Sequence, residues 1–511
     1  MSASYEMERP LKGGMLFLAA IVLASANFIA VLDMTIANVS VPNIAGSLGI
    51  SSTQGTWVIT SYSVAEAIIV PLTGWIAGRF GPVRVFTAAM LLFGAFSAFC
   101  GIAQSLEMLV IGRIMQGLTG GLMIPLSQML LLRIFPKEKA NAAMALWAMT
   151  TLVAPVLGPI MGGWMCDNFG WPVIFFINVP LALFCAPVAW KMLRRYEMAG
   201  MKLKIDAIGL ALLIIFVGAL QLMVDLGKEH AWFESPLIVT LGCIAAVGFV
   251  VFVIWELTEK NPIVDLRVFR HRGFAASVIT LTFAFGAMFA ANVLTPLWLQ
   301  SYMGYTSTWA GMTTAWSGVL AIVFAPIVGA RMSKVDPRRL VFIGLIWLAA
   351  VTASRAFLTV EATYWQISIP LLLMGAGLPF FFVPLTALSL GSVEPHEMAS
   401  AAGLQNFLRT LSGAVATSLV QTMWEDRSSI NHSELSGLAD QSGQAVATFE
   451  AGGMTHEQAI YALNNLVDEQ SVMIATNQIM ALTAIAFAAA AFVIWFAPKP
   501  ARAVSMAEAG H

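Results

Sequence analysis

Runs of apolar residues close to twenty long, such as the one from Leu237 to Trp255, recur along the whole chain. A helix needs about 20 such residues to cross the ~30 Å hydrocarbon core of a bilayer. Backbone in lipid has no water to bond, so each crossing segment must satisfy its own N–H and C=O groups, and runs this long do so as helices. Hydrophobic residues make up 59% of the 511 and charged residues only 11%, against about 25% charged in soluble chains. The fold class expected is an all-α polytopic membrane protein.

Charged or Pro/Gly punctuation divides the apolar stretches into fourteen candidate spans, the first at 15–41 and the last at 474–497. The first run lacks a small-residue cleavage site at its end and reads as a retained helix. Lys and Arg collect on the cytoplasmic side of membrane proteins. With fourteen spans, 22 of the 27 basic residues fall in one set of connections and two in the other, while Arg113, Arg355 and Arg409 lie within spans. Both termini are therefore expected in the cytoplasm. The one long connection, 425–472, then falls outside as an acidic and polar loop with room for a surface helix.

Short segments repeat in order. Pro71-Leu-Thr-Gly74 recurs as Pro326-Ile-Val-Gly329, 255 residues on, and at that offset Arg79 meets Lys334 and Arg84 meets Arg339. Ile124-Pro125-Leu126-Ser127 recurs as Val383-Pro384-Leu385-Thr386. Such weak symmetry marks transporters built from two copies of one bundle. The expected plan is a six-helix bundle over 1–198, two linker spans over 199–262 and a second six-helix bundle over 263–511.

Ionisable groups in hydrocarbon cost a few kcal/mol each, so those that occur are functional candidates. Asp33 lies about 13 Å and Glu66 about 15 Å below the outer ends of the first and second spans, at 1.5 Å per residue. Arg113 in the fourth span reaches the same level, and Arg409 in the thirteenth sits near the midplane. Burial favours the protonated carboxyl and a nearby cation the ionised one, so a carboxyl moving between those surroundings exchanges protons with conformation. These four are the candidate proton-coupling residues. The alternative is a buried ion pair of Asp33 or Glu66 with Arg113 that only ties helices together. Arg355 and Glu256, near span ends, are expected to reach the interface.

In the fifth span Ala154, Gly158 and Gly162 share one face and let a neighbouring helix approach closely. Pro155 and Pro159 each remove a helical hydrogen bond. With Gly163 they make a candidate bending gate, packed against the other half. Asn38, Gln116, Gln128, Asn292, Phe381 and Asn406 are candidate substrate contacts. The 32 Phe, 28 Met and 15 Trp suit a pocket that accepts many hydrophobic shapes.

Several chemistries are not expected. The net charge of −1 offers no field for nucleic acid, and four cysteines do not make a disulfide scaffold. Paired His, Cys-x-x-Cys spacing and the G-x-x-x-x-G-K-[ST] phosphate loop do not occur. No catalytic residue, metal or cofactor is expected, and an ion gradient is the energy source that remains.

The chain resembles the fourteen-span drug:proton antiporters of the major facilitator superfamily, EmrB type, essentially end to end. Leu32-Asp33-Met34-Thr35-Ile36-Ala37-Asn38-Val39 through Pro42 is similar to the family's first-span signature, whose Asp is implicated in coupling. Arg113-Ile-Met-Gln116-Gly117 resembles the fourth-span motif whose Arg is assigned to proton transfer, and Gly158-Pro159 with Gly162-Gly163 the antiporter motif of export. Asn406-Phe407-Leu408-Arg409 is similar to a segment of the second half. In the loop motif Gly74, Arg79, Gly81 and Arg84 are present, but Gly78 stands where the family's pattern has an acid. The resemblance implies the major facilitator fold and efflux of hydrophobic drugs driven by the proton motive force, by alternating access. It also implies a bacterial inner membrane, with a periplasmic adaptor and an outer-membrane channel as partners. A proton-coupled carrier of one metabolite and a non-transporting scaffold or sensor are the alternatives.

Overall fold

A computed structural model describes residues 11, 13–50, 52–55, 57–136, 139–197, 206–227, 230–260, 262–332, 334–394, 397–440 and 443–499. Among these residues the regular structure is entirely helical. The first set of helices is α1 (Gly13–Leu48), α2 (Ser52–Gly55), α3 (Trp57–Ile69), α4 (Thr73–Phe80), α5 (Pro82–Gly101), α6 (Leu106–Ile134), α7 (Ala140–Phe169), α8 (Val173–Phe176) and α9 (Asn178–Leu193). Then come α10 (Ala207–Leu226) and α11 (Pro236–Thr258). The last set is α12 (Arg272–Ser301), α13 (Ser307–Arg331), α14 (Pro337–Arg355), α15 (Tyr364–Gly391), α16 (Met398–Asp440), α17 (Gly443–Ala451) and α18 (His456–Val493).

Among the described residues eleven helices are long and apolar enough to cross a membrane, and thirteen spans result when two bent pairs each count as one. One pair is α3 and α4, bent by 61° at the break that holds Pro71; the other is α7, bent by 42° after Pro155. The repeat is imperfect here, because Pro326, the counterpart of Pro71, stays inside an unbroken α13. The one expected span not among these is the thirteenth, which falls in α16, a continuous helix less apolar than the others. Its polar residues Gln405, Asn406 and Arg409 face protein and are at most 5% exposed, so average hydropathy understates how well it suits a bilayer interior.

α1–α9 pack among themselves, chiefly α1 on α6 and α7, α3 and α5 on α6, and α5 on α9. α12–α18 do the same through α13–α15, α14–α15, α12–α16 and α14–α18. The two groups meet where α7 runs along α13 and α15, and where α3, α4 and α6 touch α16. α10 and α11 pair with each other; α10 touches α3 and α16, whereas most of α11 faces outward, its best apolar window only 22% buried. The 198/199 boundary expected from the sequence lies outside the described residues.

Both described ends of the chain lie at one end of the bundle. Leu11 N donates to Ile134 O at 3.2 Å, and Arg338 Nη1 donates to Ala497 O at 3.0 Å. That end also gathers Arg79, Arg84, Arg133, Arg270 and Arg338.

Three expectations need correction. The stretch 425–472 is not a loop: α16 runs on to Asp440 and α18 already starts at His456. At 1.5 Å per residue, α16 is about 65 Å and α18 about 57 Å long, twice the bilayer core. Their extensions pair with each other, Asn431 Nδ2 donating to Ser471 O at 3.3 Å and Trp424 Nε1 to Thr476 Oγ1 at 2.9 Å. A capping box at Thr455 and Gln458 starts α18. Arg355 does not reach the interface. It is 2% exposed because its side chain turns inward, Nη2 donating to Thr295 Oγ1 at 2.5 Å. Glu256 is likewise buried, since the segment entering α12 covers it and Val264 N donates to its Oε2 at 3.1 Å.

Candidate functional site

α1 carries Asp33 into the interior of the first group, 2% exposed, where every neighbour within bonding reach is a donor. Arg113 Nη1 on α6 pairs with Oδ2 at 2.5 Å. Asn178 Nδ2 at the start of α9 donates to Oδ1 at 2.6 Å, and Gln116 Nε2 donates to Oδ1 at 3.4 Å. Ser97 on α5 ties these partners together, accepting from Gln116 Nε2 and from Asn178 Nδ2 at 2.9 Å each and donating to Phe175 O. Three donors and no competing acceptor suit an ionised carboxylate, for which charge-assisted bonds are about twice as strong as neutral ones.

Arg113 is wholly buried. Its Nε donates to Val58 O at 2.9 Å, its Nη1 also to Gln116 Oε1 at 3.1 Å, and its guanidinium lies 4.3 Å from the Tyr62 ring centre. Its Nη2 has no partner among the described residues. Gln116, expected to touch substrate, is instead buried as a strut of this network. Asn178 and Ser97 were not singled out from the sequence. The signal for both was a polar side chain inside an apolar stretch, the criterion that found Gln116.

The small face of α7 packs on α1, within its own group, rather than on the other group. Thr35 Oγ1 approaches Ala154 O, and a Cβ on Gly158 would lie 2.1 Å from Thr35 Oγ1. A Cβ on Gly162 would lie 3.1 Å from Ile36 O. Glycine brings α7 against the helix that holds Asp33, two residues from the closest approach. α7 reaches the other group through a different face, where Ile160 meets Gly311 on α13. Pro159 and Gly163 lie in the C-terminal arm of α7, beyond the bend.

A second set of polar groups lies between the two groups. Asn406 Nδ2 on α16 donates to Gln128 Oε1 on α6 at 3.1 Å. Trp147 on α7 stacks on Phe382 of α15, ring centres 5.9 Å apart. Arg409 places its guanidinium 5.7 Å from the Trp147 ring centre and 5.4 Å from that of Phe285. Glu66 and Arg409 are close enough for each charge to act on the other. Both are at least 95% buried, and Glu66 Oε2 and Arg409 Nη1 have no hydrogen-bond partner among the described residues. Phe381 is fully buried, edge-on to Phe285 at 6.0 Å, and lines no open space in this conformation. Asn292 is half-buried on α12. The side chain of Asn38 lies outside the described residues.

At the basic end of the bundle, Glu197 holds the start of α5. Arg84 N donates to its Oε2 at 2.8 Å and Val83 N to its Oε1 at 3.4 Å. Gly81 has φ +92° and passes so near that a Cβ there would lie 2.2 Å from Glu197 Oε1. An acid from the end of α9 thus sits beside the loop whose own acid position is Gly78. Arg79 stacks on Trp75 and Phe80 at 5.5 and 5.7 Å, and Gly74 lies in the first turn of α4.

A buried charged network and a second, half-closed polar set between two helical groups is the architecture of a carrier, and the comparisons agree. The Major Facilitator Superfamily model matches residues 23–417. The chain is 44% identical to the multidrug export protein EmrB of Haemophilus influenzae, covering 96% of this chain and 97% of that one. It is 41% identical to the EmrB of Escherichia coli K12, over 97% and 98% of the two chains. With the fatty acid resistance protein FarB of Neisseria gonorrhoeae it shares 42% identity, over 96% and 98%. The crystal structure of the human organic anion transporter MFSD10 superimposes with a TM-score of 0.56 at 12% identity, over 93% of this chain and 100% of that one, a likeness of fold alone. This multi-pass membrane protein, a transporter and not an enzyme, belongs to the Major Facilitator Superfamily.

Proposed function

We propose that the protein exports hydrophobic and aromatic drugs from the cytoplasm in exchange for protons. Relatives named for multidrug export and for fatty acid resistance, over 40% identical along nearly the whole chain, support the class of substrate. The observation that carries proton coupling is the Asp33–Arg113 pair, 2.5 Å apart with both side chains buried. Protonating Asp33 places a donor among three donors. It frees Arg113 and loosens α1 from α6 and α9, while drug in the same low-dielectric region favours the ionised form. A membrane potential of about 100 mV supplies roughly 2.3 kcal/mol per charge moved, equivalent to about a fifty-fold drug gradient.

The plan proposed is fourteen spans with both termini cytoplasmic, in two six-helix bundles plus the inserted pair α10–α11. Exchange proceeds by alternating access. Asn406–Gln128, Trp147–Phe382 and the Arg409 stack close the cytoplasmic side here, and drug enters when they part. Glu66 and Arg409 act as coupling residues beside Asp33 and Arg113, α7 bends about Pro155 as the gate, and Asn292 is a substrate contact in the opened state. No cofactor beyond the proton motive force is required. The location is the bacterial inner membrane, and the long extensions of α16 and α18 reach toward a periplasmic adaptor that leads to an outer-membrane channel.

The test is drug efflux from vesicles carrying an imposed proton gradient. Asp33→Asn is expected to abolish proton-driven efflux while drug still binds the purified protein. Wild-type, gradient-dependent efflux by that variant would remove Asp33 from the mechanism.

A further inference from the structure

Apart from Arg409, which faces Glu66 between the groups, each helical group buries one cation within itself, and only the first group gives its cation an acid partner. In the first group Arg113 meets Asp33. In the second, Arg355 is 2% exposed and bonds through Nη2 to Thr295, while Nε and Nη1 have no partner among the described residues. No ion pair to Arg355 is found among the described residues. Thr352 lies one turn earlier on the same face of α14, fully buried, with its hydroxyl oxygen also unpartnered. The internal repeat makes the difference specific. At the offset of 255, Ser97 of the first polar core corresponds to Thr352 and Cys100 to Arg355. The second group thus keeps a hydroxyl-bearing polar core, gains a guanidinium and contains no acid to match Asp33.

A buried charge without a counter-charge is among the costliest groups a protein can hold, because desolvation is not repaid by any attraction. We propose that a small inorganic anion of the chloride class binds here, held by a free guanidinium N–H of Arg355 and by the Thr352 hydroxyl, while Thr295, whose own hydroxyl donates to Ala291 O at 2.6 Å, anchors Nη2. The site is toward the outer ends of α12 and α14. The anion is a fixed structural counter-charge in the second group, where the first uses a titratable carboxylate. This inference requires neither drug export nor proton coupling.

The experiment is thermal unfolding of the purified full chain in detergent, with chloride titrated against gluconate at constant ionic strength. A ligand bound only by the folded state raises the folding equilibrium by one plus its concentration over Kd, about tenfold at ten times Kd. The expected result is a saturable rise in the unfolding midpoint with chloride, reproduced by bromide, and absent in R355Q. Thr352→Val keeps the charge and removes a ligand, and is expected to weaken the chloride dependence at least several-fold; it serves where R355Q does not fold. A midpoint indifferent to chloride in the wild type overturns the proposal, assigning the free donors to water. So does a saturable response that survives intact in R355Q or in T352V.

Discussion

Gly158→Ala adds one methyl group where α7 crosses α1. Its Cβ would lie 2.1 Å from Thr35 Oγ1, 2.7 Å from Thr35 Cβ and 3.1 Å from Thr35 C. Ordinary contact begins near 3.4 Å, so the helices must separate by about 1 Å or Thr35 must leave the contact. Rotating Thr35 does not solve it, because Cβ and the backbone carbon stay in the way. Overpacking of this kind costs about 1–3 kcal/mol. Alanine's better helix propensity returns about 0.5–1 kcal/mol. The net loss is about 1–2 kcal/mol, and α1 is pushed away two residues from Asp33. Gly162→Ala is the control on the same face. Its Cβ would meet Ile36 O at 3.1 Å, a few tenths of an ångström too close, and propensity offsets most of that strain. Thermal inactivation of purified protein and proton-driven efflux from vesicles read both. G158A is expected to lower the midpoint by several degrees and to cut efflux sharply, with G162A near wild type in both. If G158A matches wild type, or G162A is the worse of the two, α7 does not lie on α1 as described.

Removing the bond between the groups with Asn406→Leu, Gln128→Leu and the double variant should give a coupling energy of about 1 kcal/mol. Reactivity of single cysteines placed beside the contact should rise about fivefold from the terminus side. Glu197→Gln is expected to cost about 1 kcal/mol, as loss of a charged N-terminal cap does, and Gly81→Ala more, because of its φ of +92° and its 2.2 Å approach to Glu197; thermal unfolding orders the two. Burial pushes Glu397 up, but the Glu394 N–H, His271 and Arg270 outweigh it and hold its carboxyl below the usual 4.5. A depressed folded-state value stabilises above the unfolded value and is lost as pH falls through the folded one. The unfolding midpoint should therefore fall more steeply with acid below pH 4.5 in wild type than in Glu397→Gln.

The membrane fold and the buried acid were legible because each rests on a local rule. Span-length apolar runs dictate helices, and Asp33 stood out as a charge in hydrocarbon. What stayed hidden depends on which way a side chain turns. Arg355 at the end of α14 had the length to reach the interface, and only packing shows that it turns inward to Thr295. Asn178 and Ser97 are neutral, so neither breaks the apolar pattern as sharply as a charge does. Ala154, Gly158 and Gly162 predicted a close approach, yet spacing alone names no neighbour, and α1 rather than the other group fills it. The stretch 425–472 read as a loop because its polarity excludes lipid. Polarity does not exclude helix where two helices pair above a membrane, as α16 and α18 do.

The contacts between the two groups are suited to being broken. Parting a dry, close-packed interface costs its full apolar area, whereas the contacts through Asn406, Arg409 and Trp147 are polar or aromatic faces that solvent can replace. Asn406 gives up one neutral hydrogen bond to Gln128. Arg409 gives up the ring face of Trp147 and keeps that of Phe285, which lies in its own group. The unpartnered atoms of Glu66 and Arg409 keep a further, long-range attraction without a closed ion pair. Its strength rises as the surroundings dry and falls as water enters, so the attraction is strongest while the two groups are in contact. A proton on Glu66 removes that attraction from both states and leaves only the short-range contacts, which opening exchanges for solvent or substrate at small cost. Placing one charge on α3 and the other on α16 therefore turns a single protonation into a change in the balance between two arrangements of the same helices.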